Sequence, residues 1–234
     1  MKILSVPKAS TLIVLAVICL GVLLRVATIE RQGLWADEVF SLAIATGHSL
    51  EHPAAEARPE LGDYVETVTP LAPSEYQRYL QHEDPPAGPT RILRAVLLSD
   101  TSPPLYYLLL SVWLRAGGTA DVALRLFSVL WALACFPLMW SLAKQTGGRP
   151  AVIPTMVLFV VAPVCVYYST EGRMYSMLWF LVLSQVWLTL KLNRRAGVVH
   201  IALWIVTVAA GLLTHYFFLF PGSSDFRVGH GRRV

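Results

Sequence analysis

Acidic residues are scarce outside one stretch of this 234-residue chain. Twelve of the fifteen lie between positions 30 and 100, and only Asp121, Glu171 and Asp225 fall elsewhere. Charged residues of both signs make up 15% of the sequence, against about 25% in a soluble domain. Residues 126–143 carry no charge at all. A soluble globular domain is excluded by this poverty of charge. Cysteine is rare too. Cys19, Cys135 and Cys165 all sit inside apolar segments at a spacing that matches no metal motif, so they read as small buried hydrophobes. Nor is there a basic face. The formal charge of +4 comes from lysines and arginines at the ends of apolar runs, where they set membrane orientation. Nucleic acid is therefore rejected as a partner, and the expected surroundings are membrane lipids.

What the chain does have is apolar length. A bilayer core about 30 Å thick needs roughly 20 apolar residues. Five spans are expected, at residues 11–29, 122–143, 150–168, 174–190 and 196–220. The first could be read as a cleaved signal peptide. No A-x-A site follows it, however, and its apolar character continues past Arg25, so an uncleaved signal anchor is the expectation. Pro137, Pro154 and Pro163 lie inside spans and are expected to bend them.

A sixth apolar run, residues 103–114, is too short to cross and suits an interfacial or re-entrant helix. Charge gives an independent check. Lys2 and Lys8, Lys144 and Arg149, and Lys191, Arg194 and Arg195 form three basic clusters. With five spans all three fall on the cytoplasmic side, as the positive-inside rule requires. A sixth span would break that agreement. The expected fold class is thus an all-α, multi-pass membrane protein of the plasma (inner) membrane. It has about five transmembrane helices, an interfacial helix, a cytoplasmic N-terminus and a large extracytoplasmic first loop at residues 30–102. Seven prolines between positions 53 and 89 argue against long regular helices in the middle of that loop. Residues 37–46 and 74–81 are its short helical candidates.

Three segments hold polar groups next to these spans. The first is Trp35-Ala36-Asp37-Glu38. Adjacent helical residues point about 100° apart, so Asp37 and Glu38 cannot both face one reacting atom. One could act in chemistry while the other binds a cation or a partner residue. Two acids in a first helical turn are also what the helix dipole favours without any chemistry. The second segment, Thr101-Ser102-Pro103-Pro104-Leu105-Tyr106-Tyr107, reads as the stiff start of an interfacial helix. The third runs from Tyr167 to Tyr175. Glu171 there is favoured by a helix start, whereas Arg173 opposes the dipole and needs an anion, either a protein carboxylate or a substrate phosphate. Arg125, at the outer end of the second span, either snorkels to headgroups or faces a ligand. His215, near the outer end of the fifth span, reads first as a satisfied polar residue.

Taken in order, LWADEVFSLAIA, SPPLYYLLLSVWLRAGG, ALRLFSVLWALACFPLMWSLAK and YYSTEGRMYSM followed by THYF resemble glycosyltransferase family 39. Its members include protein O-mannosyltransferases and lipid A aminoarabinose transferases of the membrane C-type fold. The resemblance spans roughly residues 10–220. It departs from the family at Ser102, where members usually have His, and in a longer loop at residues 48–90. It implies transfer of a sugar, with inversion, from a polyprenyl-phosphate donor to a lipid, glycan or protein acceptor outside the cytoplasmic leaflet. Asp37, with Glu38 as second choice, would be the base. Arg173 or a bound divalent metal ion would meet the charge on the departing phosphate, and Glu171, Arg125, Tyr175 and His215 would line the substrate site. Family members usually continue through more spans. The polar, basic residues 221–234 therefore predict a truncated or frameshifted frame. A non-catalytic membrane remnant or assembly partner and a transporter subunit are the competing expectations. Acids and arginines gathered at one membrane face favour surface chemistry over transport.

Overall fold

The computed structural model describes residues 9–30, 32–70, 72–100, 102–194 and 197–219. Lys2, Lys8, Thr101, Arg195 and the tail at 221–234, all used in the sequence reading, lie outside them. The described residues are helical, with no strand. Ten α-helices follow one another: α1 (Ala9–Thr28), α2 (Ala36–Thr46), α3 (Pro73–Gln77), α4 (Pro89–Ser99), α5 (Leu105–Gly117), α6 (Asp121–Thr146), α7 (Gly148–Val161), α8 (Pro163–Ser169), α9 (Tyr175–Arg194) and α10 (Val198–Leu212).

By length and composition α6 and α9 can each cross a membrane, and α7 with α8 makes a third candidate bent by 60°. The apolar helices Leu12–Thr28, α5 and α10 are shorter. The expected fifth span is therefore cut back. Helix α10 stops at Leu212 and is followed by a single 3-10 turn, Tyr216–Phe218. The reversal is enforced by packing, because the Phe218 ring lies where a Cβ on Gly211 would be, 2.4 Å away. Of the three span prolines, Pro137 and Pro154 sit inside continuous helices. Pro163 stands at the break between α7 and α8.

Two apolar clusters hold the helices together. One joins Leu42 and Ile44 of α2, Ile92 of α4, Tyr106 and Leu110 of α5, Leu124 of α6 and Met177 of α9. The other packs Cys135 and Phe136 of α6 against Met156, Phe159 and Val160 of α7, with Val17 and Ile18 of α1 alongside. Helix α6 is central, contacting α1, α5, α7, α8 and α9. Large apolar side chains stay exposed on α1 (Leu15, Leu23) and α10 (Val199, Val206).

Between 53 and 88 the described residues of the first loop hold only short 3-10 turns and the five-residue α3, and a longer helix, α4, begins at its last proline. Pro89 occupies the first turn of α4, where a missing N–H costs nothing. Ile92, Ala95 and Val96 then recur at helical spacing and are buried. Polar ties close the loop over α2 and α4. Arg94 donates two hydrogen bonds of 2.7 Å to Asp63, and Arg91 pairs with Glu83 while reaching Gly47 O at 2.9 Å. Helix α2 ends at Gly47, whose φ of 93° is the left-handed cap, with His48 N donating back to Ala43 O at 2.8 Å.

Candidate functional site

Three elements meet around the start of α2: the loop after α1, the N-terminal end of α6, and the turn between α8 and α9. Asp37 and Glu38 part company there, as the 100° helical step requires. Glu38 is buried, at 1% exposure, and forms a fork with Arg125. Nε donates to Oε1 at 2.9 Å and Nη2 to Oε2 at 2.7 Å. The other three N–H groups of Arg125 go to backbone carbonyls of Ile29, Gln32 and Gly33 at 2.7–3.0 Å. All five donors are taken, so Arg125 neither snorkels to headgroups nor has a donor left for a ligand. The snorkelling expectation is corrected, because a buried carboxylate is a better partner than a distant headgroup.

Glu38 Oε1 also accepts the Gly172 amide at 2.8 Å. This contact needs glycine. A Cβ at position 172 would lie 2.5 Å from Leu124 and 3.2 Å from Glu38 Oε1. The turn is thereby drawn against α2, and Ser128 on α6 donates to Arg173 O at 3.2 Å.

On the other side of this plug Asp37 is half-exposed. Its Oδ2 lies 3.9 Å from Arg173 Nε. Arg173 Nη1 is 3.4 Å from Asp100 Oδ2, 3.2 Å from the Tyr107 hydroxyl and 3.2 Å from Ser41 Oγ. Its buried Nε has no hydrogen-bond acceptor. Burial works against the Arg173 charge, but Tyr107, Asp100 and Asp37 outweigh it and raise the pKa above the ordinary value. Burial alone would raise Asp100. Hydrogen bonds from the Tyr107 hydroxyl and the Ser102 amide, with the Arg173 charge, bring it below the usual carboxylate range. Burial pushes the Tyr107 hydroxyl up. Burial and then the Arg173 charge lower His215, whose Nδ1 accepts from Phe217 N at 3.1 Å. The Tyr175 and His215 rings lie 6.5 Å apart.

Glu171 lies on the opposite side from Arg173. It is 5% exposed, and its Oε2 has no hydrogen-bond partner. Burial first, and then the charges of Glu38 and Asp37 against that of Arg173, raise its pKa to about 7. A cleft of about 610 Å³ opens here, lined by Leu24, Thr28, Gln32, Trp35, Glu38, Arg125, Val161, Val166, Tyr167 and Glu171 among others. Asp37 and Arg173 are not in its lining. Glu38 and Glu171 thus face this cleft, while Asp37 and Arg173 approach each other outside it.

The sequence reading missed Asp100, Ser41 and Arg25. A proton acceptor six residues before a tyrosine pair is no signal by itself. Arg25 carried a better one, a lone cation inside an apolar run. It is fully buried, with Nε donating to Ser169 Oγ at 3.0 Å, Nη1 to Gly21 O at 3.0 Å and Nη2 to Phe159 O at 3.4 Å. Pro163 has no N–H to give Phe159 O, so Arg25 supplies one. Among the described residues no three His, Cys, Asp or Glu side chains are placed to hold a metal ion. Compared with protein-family models, with curated proteins and with solved structures, the chain matches none of them.

Proposed function

We propose that the chain is a membrane glycosyltransferase of the family 39 type, with five spans, a cytoplasmic N-terminus and the first loop on the outer face. It would transfer a sugar from a polyprenyl-phosphate donor to an extracytoplasmic acceptor. The observation that carries this reading is the 3.9 Å approach of Asp37 to Arg173. It puts a half-exposed carboxylate from the first loop beside a cation from a turn more than a hundred residues later.

In the proposed step the acceptor hydroxyl attacks the anomeric carbon as the Asp37 carboxylate takes its proton. The bond from that carbon to the phosphate oxygen breaks with inversion. The electron pair leaves on the phosphate, where the Arg173 guanidinium meets the developing charge. Asp100, Tyr107 and Ser41 hold Nη1 and orient the fork, while Nε lacks an acceptor. Glu38 is assigned to structure, since both its oxygens are occupied. Tyr175 and His215 border the same face.

The test is sugar transfer from a polyprenyl-phosphate donor, with the chain in membranes. Asp37→Asn keeps the side chain's shape and is expected to lower turnover by about a hundredfold. Full turnover in that variant removes the base assignment. A transporter reading would use the broken α7–α8 helix beside buried Arg25. Arg25, however, sits in the last turn of α1 and is bonded to protein on three sides. The remnant reading predicts no transfer by the unmodified chain.

A further inference from the structure

The cleft between α1 and α7–α8 is amphipathic. Its walls are Leu24, Val161, Pro163 and Val166, and its head is Trp35, Tyr167, Glu38, Arg125 and Glu171. Around it Leu23, Val26 and Val164 are more than half exposed, so the walls continue into an apolar outer surface. Trp35 and Tyr167 are about half exposed and are residues that place an apolar body and a polar tip at a membrane boundary. A volume of about 610 Å³ suits a small-molecule headgroup with the first part of its chain.

The head of the cleft selects by charge. Arg125 has no free donor, and Glu38 receives Arg125 on both oxygens and Gly172 on one. The remaining carboxyl of the lining is Glu171, nine-tenths buried and with Oε2 unpartnered. A buried carboxyl without a partner costs about 1–3 kcal/mol, which a ligand can remove. Among the described residues of the lining, a phosphate or carboxylate headgroup would meet carboxylates and no unmatched cation. Arg125 is already compensated by Glu38, so an ammonium group would be matched only where the Glu171 carboxyl has given up its proton. A hydroxyl both donates and accepts, so it satisfies Glu171 whether or not the carboxyl holds a proton.

We infer that this cleft binds an uncharged, hydroxyl-headed membrane amphiphile, entering sideways between α1 and α7–α8 with its hydroxyl on Glu171. This lipid site is separate from the Asp37–Arg173 pair of the proposed reaction, since neither residue lines the cleft.

Photolabelling tests the site without any sugar chemistry. The whole chain is placed in phosphatidylcholine nanodiscs with one of three chain-matched, diazirine-bearing probes: a monoacylglycerol, a lysophosphatidic acid or an alkylammonium. The monoacylglycerol is expected to label residues 24–35 and 161–171 about fivefold more than either charged probe, roughly 1 kcal/mol of preference. Glu171→Leu should abolish that preference, and Glu171→Gln, which still offers hydrogen bonds, should keep most of it. Val166→Trp should block labelling by filling the cleft while leaving Glu171 in place, which covers the case in which a Glu171 variant fails to fold. Preferential labelling by either charged probe overturns the proposal, as does labelling indifferent to Val166→Trp. Labelling without sugar transfer would leave the lipid site standing and remove the enzyme reading. Transfer without labelling would do the reverse.

Discussion

Arg125 and Glu38, 87 positions apart, meet through two hydrogen bonds of 2.9 and 2.7 Å with both side chains almost completely buried. The pair ties α6 to α2, and Glu38 extends the tie to the Gly172 amide. Removing one partner of a buried pair costs about 3–5 kcal/mol, because the other charge is left uncompensated. Glu38→Gln and Arg125→Met are each expected to lower the thermal unfolding midpoint in detergent sharply. The double variant should lose less than the sum. Additive losses would mean that the two residues act independently.

Gly172→Ala is expected to be damaging out of proportion to one methyl group. The added Cβ would overlap the Leu124 side chain and crowd Glu38 Oε1, and overpacking of this kind costs about 1–3 kcal/mol. Gly33 has open space around the same position, so Gly33→Ala serves as the control. Equal unfolding midpoints for the two variants would rule out the close approach.

Arg173→Lys separates charge from geometry. Lysine keeps the cation but loses the planar fork. Under the proposed reaction the KM for donor should rise about tenfold with a smaller change in kcat. Asp37→Asn should do the opposite, lowering kcat. Kinetics in proteoliposomes at varied donor concentration distinguish the two. An unchanged donor KM in Arg173→Lys would take the guanidinium off the phosphate.

Glu171 makes stability depend on pH. Its ordinary value is 4.5, and the folded value is raised to about 7 by burial and by Glu38 and Asp37 on α2, against Arg173 on its own turn. Arg125 on α6 faces the same cleft. Between these two values the folded state holds a proton that the unfolded chain has lost. Stability should therefore fall as pH rises from 4.5 to 7 and level off above. The loss is a few kcal/mol at most, since one bound proton is worth about 1.4 kcal/mol for each pH step of one. Glu171→Gln should flatten that slope. Identical pH profiles for the two proteins would show that Glu171 is not the group responsible.

Arg25→Met should leave Ser169 Oγ and Phe159 O without their buried donor, at about 1–3 kcal/mol. Arg25→Lys keeps the charge but not three separated contacts. If the Phe159 carbonyl matters because Pro163 has no N–H, Pro163→Ala should recover part of the Arg25→Met loss. Unfolding midpoints measure this directly, and a Pro163→Ala change that deepens the loss would contradict it.

Much of the helical framework was legible in one dimension. Apolar runs place α6 and α9, and the 37–46 candidate is α2 to within a residue, because helix-period burial and a capping glycine are local signals. The proline-rich stretch was legible too: between 53 and 88 its described residues hold only short 3-10 turns and the five-residue α3, and Pro89 opens α4 at its edge. The short α10 was not legible. Its end is set by Phe218 packing on Gly211, a contact that apolarity does not encode.

For the candidate site, the sequence alone determined that Asp37 and Glu38 diverge and that Arg173 needs an anion, because helical pitch and the helix dipole are local physics. Only the tertiary structure decided which partners answer those needs. It gave Glu38 to Arg125 and Gly172, placed Asp100 with Tyr107 on Arg173, and left Glu171 buried without a partner at the head of a cleft. These pairings join residues 66 to 134 positions apart, and such choices follow from where packed helices bring charges out of water. Composition can say that a charge must be compensated, but packing selects the group that does it.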